Sequence, residues 1–247
     1  MSAGNFQHRI WQMALDEELA LSPGHKTAKR VLDMGTGTGI WAIDYGTLVI
    51  GVDLSPIQPE WAPPNCRFEI DDLEKDWTWT EPFDFINCRS MASCFANPAK
   101  VVEKCYNALT PGGWLEVADL ILPLSCDDGS VPKDSHLYRW HNLLEEAAEK
   151  MGRPMVGLVQ ETAKMKEVGF TNITTTKCIF PLNSWPKDEK LREIGKWHFV
   201  NLNLGLEGLS MALLTRALDW TKEEVLALCA LVRNDLKNKN MHAYWTW

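Results

Sequence analysis

Arg30-Val31-Leu32-Asp33-Met34-Gly35-Thr36-Gly37-Thr38-Gly39 is the stretch on which the reading of this chain turns. Val31 and Leu32 form a short apolar run that ends in an acid and three alternating glycines, the pattern of a buried strand entering a tight turn and a helix N-terminus. Glycine suits that turn because a ligand must approach the backbone where a Cβ would stand. A second apolar run, Val49-Ile50-Gly51-Val52-Asp53-Leu54, ends in Asp53. That acid lies eighteen residues beyond Gly35, where a carboxylate accepts hydrogen bonds from both hydroxyls of a ribose. The two runs describe a nucleoside-binding βαβ unit. A nicotinamide dinucleotide is the weaker alternative, because its G-x-G-x-x-G fingerprint wants a third glycine where this chain has Ile40. A glycine turn that binds nothing leaves Asp33 and Asp53 unexplained.

The chain around this unit has 247 residues, 45% of them hydrophobic, enough for one large core or one core with a cap. No apolar run approaches the roughly 20 residues that span a bilayer. The start, Met1-Ser2-Ala3-Gly4-Asn5, lacks a basic-then-apolar signal pattern. A cytoplasmic protein without membrane partners is expected. Seven cysteines, an odd number without C-x-x-C spacing, point to reduced thiols and away from disulfides or zinc; they read as small core hydrophobes. A net charge of −8 provides no basic face for a polyanion, so nucleic acid is not an expected partner. Twelve tryptophans are many for this length. They read mainly as core, with an aromatic-lined pocket for a flat or cyclic substrate as the second reading.

Phe6 to Leu21 carries a helical apolar period and predicts an N-terminal helix laid against the sheet, ended by Ser22-Pro23-Gly24. Gln7, His8 and Arg9 on it either cover a ligand or are solvated. After Gly39 the helix Ile40 to Tyr45 is brief, near the floor for a parallel crossover; either the helix is truncated or a segment is missing. Cys66 to Ile70 is the third strand, and it delivers Asp71, Asp72 and Leu73 to the edge of Asp33 and Asp53. A carboxylate there takes a hydrogen bond from an adenine amino group, while the next backbone N–H meets a ring nitrogen. Asp72 with Leu73 is the chosen pair. Phe83 to Cys88 is the fourth strand, and Arg89 at its carboxyl end stands where open α/β sheets bind ligands. A helix opened by Asn97-Pro98 stops at Thr110-Pro111-Gly112-Gly113, and Trp114 to Leu120 is the fifth strand. Beyond it come a polar loop, a long helix from Ser135, a helix through Lys164 and Val168, and a strand from Thr171 to Cys178. A helix-rich insertion over 188–218 and a last helix with the capping box Thr221-Lys222-Glu223-Glu224 follow.

Gly35-Thr36-Gly37-Thr38-Gly39 after a strand-end acid resembles motif I of class I S-adenosylmethionine (SAM) methyltransferases, and Leu109-Thr110-Pro111-Gly112-Gly113 resembles their "L-x-P-G-G" turn. With Gly51 to Pro59, Phe68 to Asp72, Gln7-His8 and Met241 to Trp245, the likeness is to the fungal LaeA-like branch and covers nearly the whole chain. It implies an α/β, Rossmann-like seven-stranded sheet, the last strand antiparallel, in one methyltransferase domain over 1–247. Residues 1–24 cover the cofactor, and a helical cap over 125–165 and 188–218 closes on the substrate. The implied cofactor is SAM, its product S-adenosylhomocysteine. The implied cofactor residues are Asp33, Gly35, Thr36, Gly37, Gly39, Asp53, Leu54, Asp72, Leu73, Cys88 and Arg89, with Asp33 near the cationic end. The short helix after motif I and the stop at Trp247 depart from the family.

Methyl transfer asks a protein mainly to align the acceptor and exclude water, and a hydroxyl acceptor needs a base. His136, His141 and His198 are candidates; His141 and His198 rank first because tryptophans stand beside them, and His242 reads as structural. No metal cluster is expected. Three functions stay open: methylation of a small, largely apolar metabolite, at oxygen, in fungal secondary metabolism; a nuclear LaeA-like regulator with a protein partner; and a SAM-binding protein turned to another reaction such as cyclisation.

Overall fold

The computed structural model describes residues 3–247, and the chain divides into two compact units. The first, residues 15–119 and 156–175, is built on five parallel strands: β1 (Arg30–Met34), β2 (Leu48–Asp53), β3 (Cys66–Ile70), β4 (Phe83–Arg89) and β5 (Leu109–Ala118). Their order is β3-β2-β1-β4-β5, so the chain reverses direction across the sheet between β1 and β4. Parallel sheets need both faces covered, and the period-two alternation of these strands supplies two apolar faces. Leu32, Ile50 and Ile86 pack with α3 (Pro98–Ala108) and α5 (Thr162–Val168); Val31, Val49 and Phe85 pack with Trp41 and Ala42 of α2 (Ile40–Tyr45) and with Ala20 and Ala28. The six-residue α2 is bounded by Gly39 and Gly46, both at positive φ. The Pro-Gly-Gly turn expected before β5 lies within that strand, as an irregularity between the pairs Phe83–Leu109 and Phe85–Trp114.

The second unit comprises the chain up to Ala14, residues 120–155 and residues 176–247. It holds α1 (Ala3–Ala14), β6 (Ile121–Ser125), α4 (His136–Lys150), β7 (Ile179–Pro181), α6 (Glu189–Ala217), α7 (Lys222–Lys237) and β8 (Tyr244–Thr246). Its core joins α4, α6 and α7 through Trp140, Leu144, Leu206, Leu214, Val232 and Trp245. Side chains cap these helices as their sequences foretell: Ser135 for α4, Asp188 for α6, and the full capping box of Thr221 and Glu224 for α7.

Three expectations need correction. The single seven-stranded sheet is instead a five-stranded parallel sheet and a separate three-stranded one, ordered β6-β8-β7. The last strand is antiparallel to both neighbours in that smaller sheet. The N-terminal helix ends at Ala14, not Leu21, because Asp16 and Glu17 take left-handed φ values of 54° and 67°. It packs on α6 within the helical unit, with Phe6 against Trp197 and Trp11 against Phe180. Finally, Thr171 to Cys178 is not a strand: pairing begins where Cys178 and Trp247 exchange backbone bonds, and β7 starts at Ile179. Among the described residues no helix is long and apolar enough to cross a membrane.

Candidate functional site at the carboxyl edge of the parallel sheet

The carboxyl ends of β1, β2 and β3 are laced together by backbone. Thr36 N–H donates to the Val52 carbonyl (2.9 Å) and Asp71 N–H to the Asp53 carbonyl (3.2 Å). Gly37 N–H donates to Asp53 Oδ2 (2.8 Å), while Asp53 Oδ1 accepts from Ser55 N–H (2.9 Å). A carboxylate offers about four acceptor positions, so Asp53 retains capacity for two hydroxyl donors. The loops carrying Asp33, Asp53 and Asp72 thus meet at one edge.

The three glycines of the first loop all have positive φ, and their surroundings differ. A Cβ on Gly35 would meet Met91 Sδ, and one on Gly39 would meet the Phe68 ring; on Gly37 it would meet nothing within 4 Å. Gly35 and Gly39 therefore serve packing. Gly37 presents bare backbone to open space.

Asp33 is buried at 3% exposure. Its Oδ2 accepts from the Thr36 hydroxyl and its Oδ1 from the Asn87 amide, each at 2.7 Å. Burial pushes its carboxyl up to about 6, against the lowering effect of those two bonds and of Arg89. Asn87 is equally buried, and its Oδ1 has no partner among the described residues. The amide holds Asp33 with its nitrogen, which leaves an acceptor oxygen awaiting a donor. Sequence reasoning passed over Asn87, although a lone amide in the apolar run Phe85-Ile86-Asn87-Cys88, in register with Asp33, is a visible signal. Gln58 was also missed. Its amide donates to the Gly37 carbonyl (2.7 Å) and the Ser55 carbonyl (3.0 Å), fixing the glycine loop against the loop after β2.

Leu54 is 70% exposed beside Asp53, and Leu73 is buried beside Asp72. The Cys88 side chain points into the core, where burial pushes its thiol well up, so only its backbone is available to a ligand. Arg89 donates to the Leu19 carbonyl (2.7 Å), and burial lowers its guanidinium to about 10. The same carbonyl accepts from the Trp41 indole, while Glu116 accepts from the N–H groups of Leu21 and Ser22. Residues 19–22 are therefore strapped down beside α2 by side chains of β4 and β5.

The two histidines favoured as bases are both buried and hydrogen-bonded to backbone. His141 is 1% exposed, its Nε2 accepts from Leu124 N–H (3.1 Å), and Glu145 Oε1 stands 3.6 Å from that nitrogen. His198 is 3% exposed, with Nδ1 on the Pro181 carbonyl (3.0 Å) and its ring against Phe180 and Trp245. Burial lowers both to about 4. Trp140 beside His141 is core, whereas Trp197 beside His198 is half-buried against Phe6. His242 and His136 are both partly exposed, and the His242 imidazole is paired. Its Nδ1 lies 2.5 Å from Asp128 Oδ2, its ring stacks on Trp185, and hydrogen bonds from Ser130 and His242 hold the Asp128 carboxyl well below the usual range. Among the described residues no cluster of His, Cys, Asp or Glu is suited to a metal ion.

Comparison with known proteins bears on this edge. A family model described as a methyltransferase domain matches residues 6–175. Methyltransferase pytC of Aspergillus terreus is 41% identical over 242 residues, which is 96% of this chain and 75% of that protein. The secondary metabolism regulator LAE1 of Cochliobolus heterostrophus is 37% identical over 224 residues, covering 87% of this chain and 73% of that protein. Among solved structures, the [4+2]-cyclase SpnF superposes with a TM-score of 0.52 at 16% identity, over 97% of this chain and 80% of that one. That likeness concerns the fold.

Proposed function

The chain belongs to the methyltransferase domain family and is a SAM-dependent methyltransferase of the kind found in fungal secondary metabolism, and from that premise we propose that it methylates a small, largely apolar metabolite, at oxygen. The observation that carries the reading is the meeting of the Asp33, Asp53 and Asp72 loops around the bare backbone of Gly37. The residues fit the cofactor: an open glycine cradle and a buried acceptor on Asn87 lacking a donor are what a nucleoside joined to an ammonium-bearing chain would complete.

In this reading Asp53 accepts the ribose hydroxyls, Asp72 and the Leu73 N–H take the adenine edge, and Leu54 lies along the base. Gly35, Thr36, Gly37 and Gly39 form the cradle. Asp33, steadied by Thr36 and Asn87, faces the cationic end. A carboxyl raised to about 6 by burial is largely ionised at pH 7, and a cation beside it favours the ionised form further. Cys88 contributes backbone, and Arg89 holds the Leu19 strap. The bound cofactor supplies an activated methyl group, so the protein has to position the acceptor and accept its proton.

The test is calorimetric titration with S-adenosylhomocysteine, followed by incubation with radiolabelled SAM and fractionated fungal culture extract. Asp53→Ala is expected to weaken binding at least tenfold, since a hydrogen bond to a charged group contributes about 1.5–3 kcal/mol. Unchanged affinity removes the assignment of Asp53. Label in extractable small molecules supports a metabolite acceptor. Label on protein alone favours the second reading, a regulator acting with a protein partner, which the similarity to LAE1 supports.

A further inference from the structure

The turn after β3 is gripped from behind by one side chain of α3. The Lys104 ammonium donates to three successive carbonyls, those of Leu73 (3.2 Å), Glu74 (2.7 Å) and Lys75. An ammonium has three donors and no acceptor, so the match is one to one. The turn is closed by bonds from Glu74 N–H to Asp72 Oδ1 (3.0 Å) and from Lys75 N–H to the Asp72 carbonyl (2.9 Å). The Leu73 carbonyl takes a further bond from the Trp77 indole (3.0 Å). A second anchor runs from the same turn to the start of α3, where Glu74 Oε1 accepts from Ala96 N–H (2.7 Å). These bonds occupy the turn's carbonyls and one oxygen of Asp72. The other carboxylate oxygen and the Leu73 N–H carry no bond within the turn.

We propose that Lys104 is a positioning residue for purine recognition, drawing three carbonyls onto one cation so that Asp72 and the Leu73 N–H are presented at the spacing that reads an adenine edge. This rests on the adenine role given to that pair above. Without the cation, three carbonyl dipoles converging on one point repel each other, and the turn relaxes. Asp71 and Lys75 are exposed while Leu73 is buried in the core, so the relaxation falls on the exposed ends of the turn.

The experiment titrates the full chain with S-adenosylhomocysteine and with the analogue carrying hypoxanthine in place of adenine. It uses wild type, Lys104→Met, Lys104→Gln and, as control on the same helix, Lys100→Met. Wild type and the control are expected to prefer adenine by about tenfold or more. Lys104→Met is expected to bind S-adenosylhomocysteine about tenfold more weakly and to discriminate less than about threefold. A merely structural lysine would lower both affinities together. Preserved discrimination in Lys104→Met therefore overturns the proposal, whatever the overall affinity. If that variant does not fold, Lys104→Gln, which keeps a neutral donor but loses the cation, decides: reduced discrimination supports the proposal and unchanged discrimination overturns it. A wild type that binds both ligands equally, or neither, overturns the adenine role of Asp72 and Leu73, and the role of Lys104 with it.

Discussion

Gly37 separates what a glycine does for the fold from what it does for a ligand. Its φ of 56° costs a substituted residue about 1 kcal/mol, and the space where a Cβ would stand is empty. Gly37→Ala is therefore expected to lower stability by only about 1 kcal/mol in chemical denaturation, yet to weaken S-adenosylhomocysteine binding at least tenfold in calorimetry. A variant that binds as wild type does would show that no ligand approaches there. Asp33 and Asp53 were legible in the sequence because an acid at a strand end, followed by glycines or closing the next strand, has few structural reasons to be there. Asn87 was not, because its meaning lies in a neighbour 54 positions away: only strand register puts its amide against Asp33.

Elements were legible where their signals are local. The caps Asn97, Ser135, Asp188 and Thr221 each accept from a backbone N–H three residues on, a bond that sequence proximity alone makes available. The N-terminal helix was read past Ala14 because an apolar position recurs at Leu21 beyond the interrupting acids, while the left-handed φ values of Asp16 and Glu17 and the strap they feed are tertiary facts. That strap makes a prediction of its own. Glu116 accepts both the Leu21 N–H (2.8 Å) and the Ser22 N–H (2.7 Å), and bonds to a carboxylate contribute about 1.5–3 kcal/mol. Glu116→Ala should accelerate amide hydrogen exchange at Leu21 and Ser22 by tenfold or more, with the β1 amides unchanged. Equal protection in the variant would mean that the strap is held by Arg89 and Trp41 alone.

Across the whole molecule, the two units should answer acid with opposite signs. His141 and His198 are buried in the helical unit with values near 4, below the 6.5 of an unfolded histidine. Their contribution to stability is complete above pH 6.5 and is lost as pH falls toward 4, by up to about 2.7 kcal/mol per pH unit for the two together. Asp33, in the sheet unit, is raised to about 6, so acid relieves it: its contribution grows as pH falls from 6 toward 4, by up to about 1.4 kcal/mol per unit. Hydrogen exchange, corrected for intrinsic rates, should show protection of α4 and α6 dropping between pH 6.5 and 5 before that of β1 and β4. Simultaneous loss in both units would contradict this. The sequence by itself determined the parallel strand-and-turn pattern, the helix caps and the acids at the strand ends, because each depends on residues close together along the chain. Only the tertiary structure decided that the sheet stops at five strands, that His141 and His198 are buried, and that Asn87, Gln58 and Lys104 bond to Asp33 and to the loops after the parallel strands. Burial and strand register are set by residues far apart in sequence, and no local pattern encodes them.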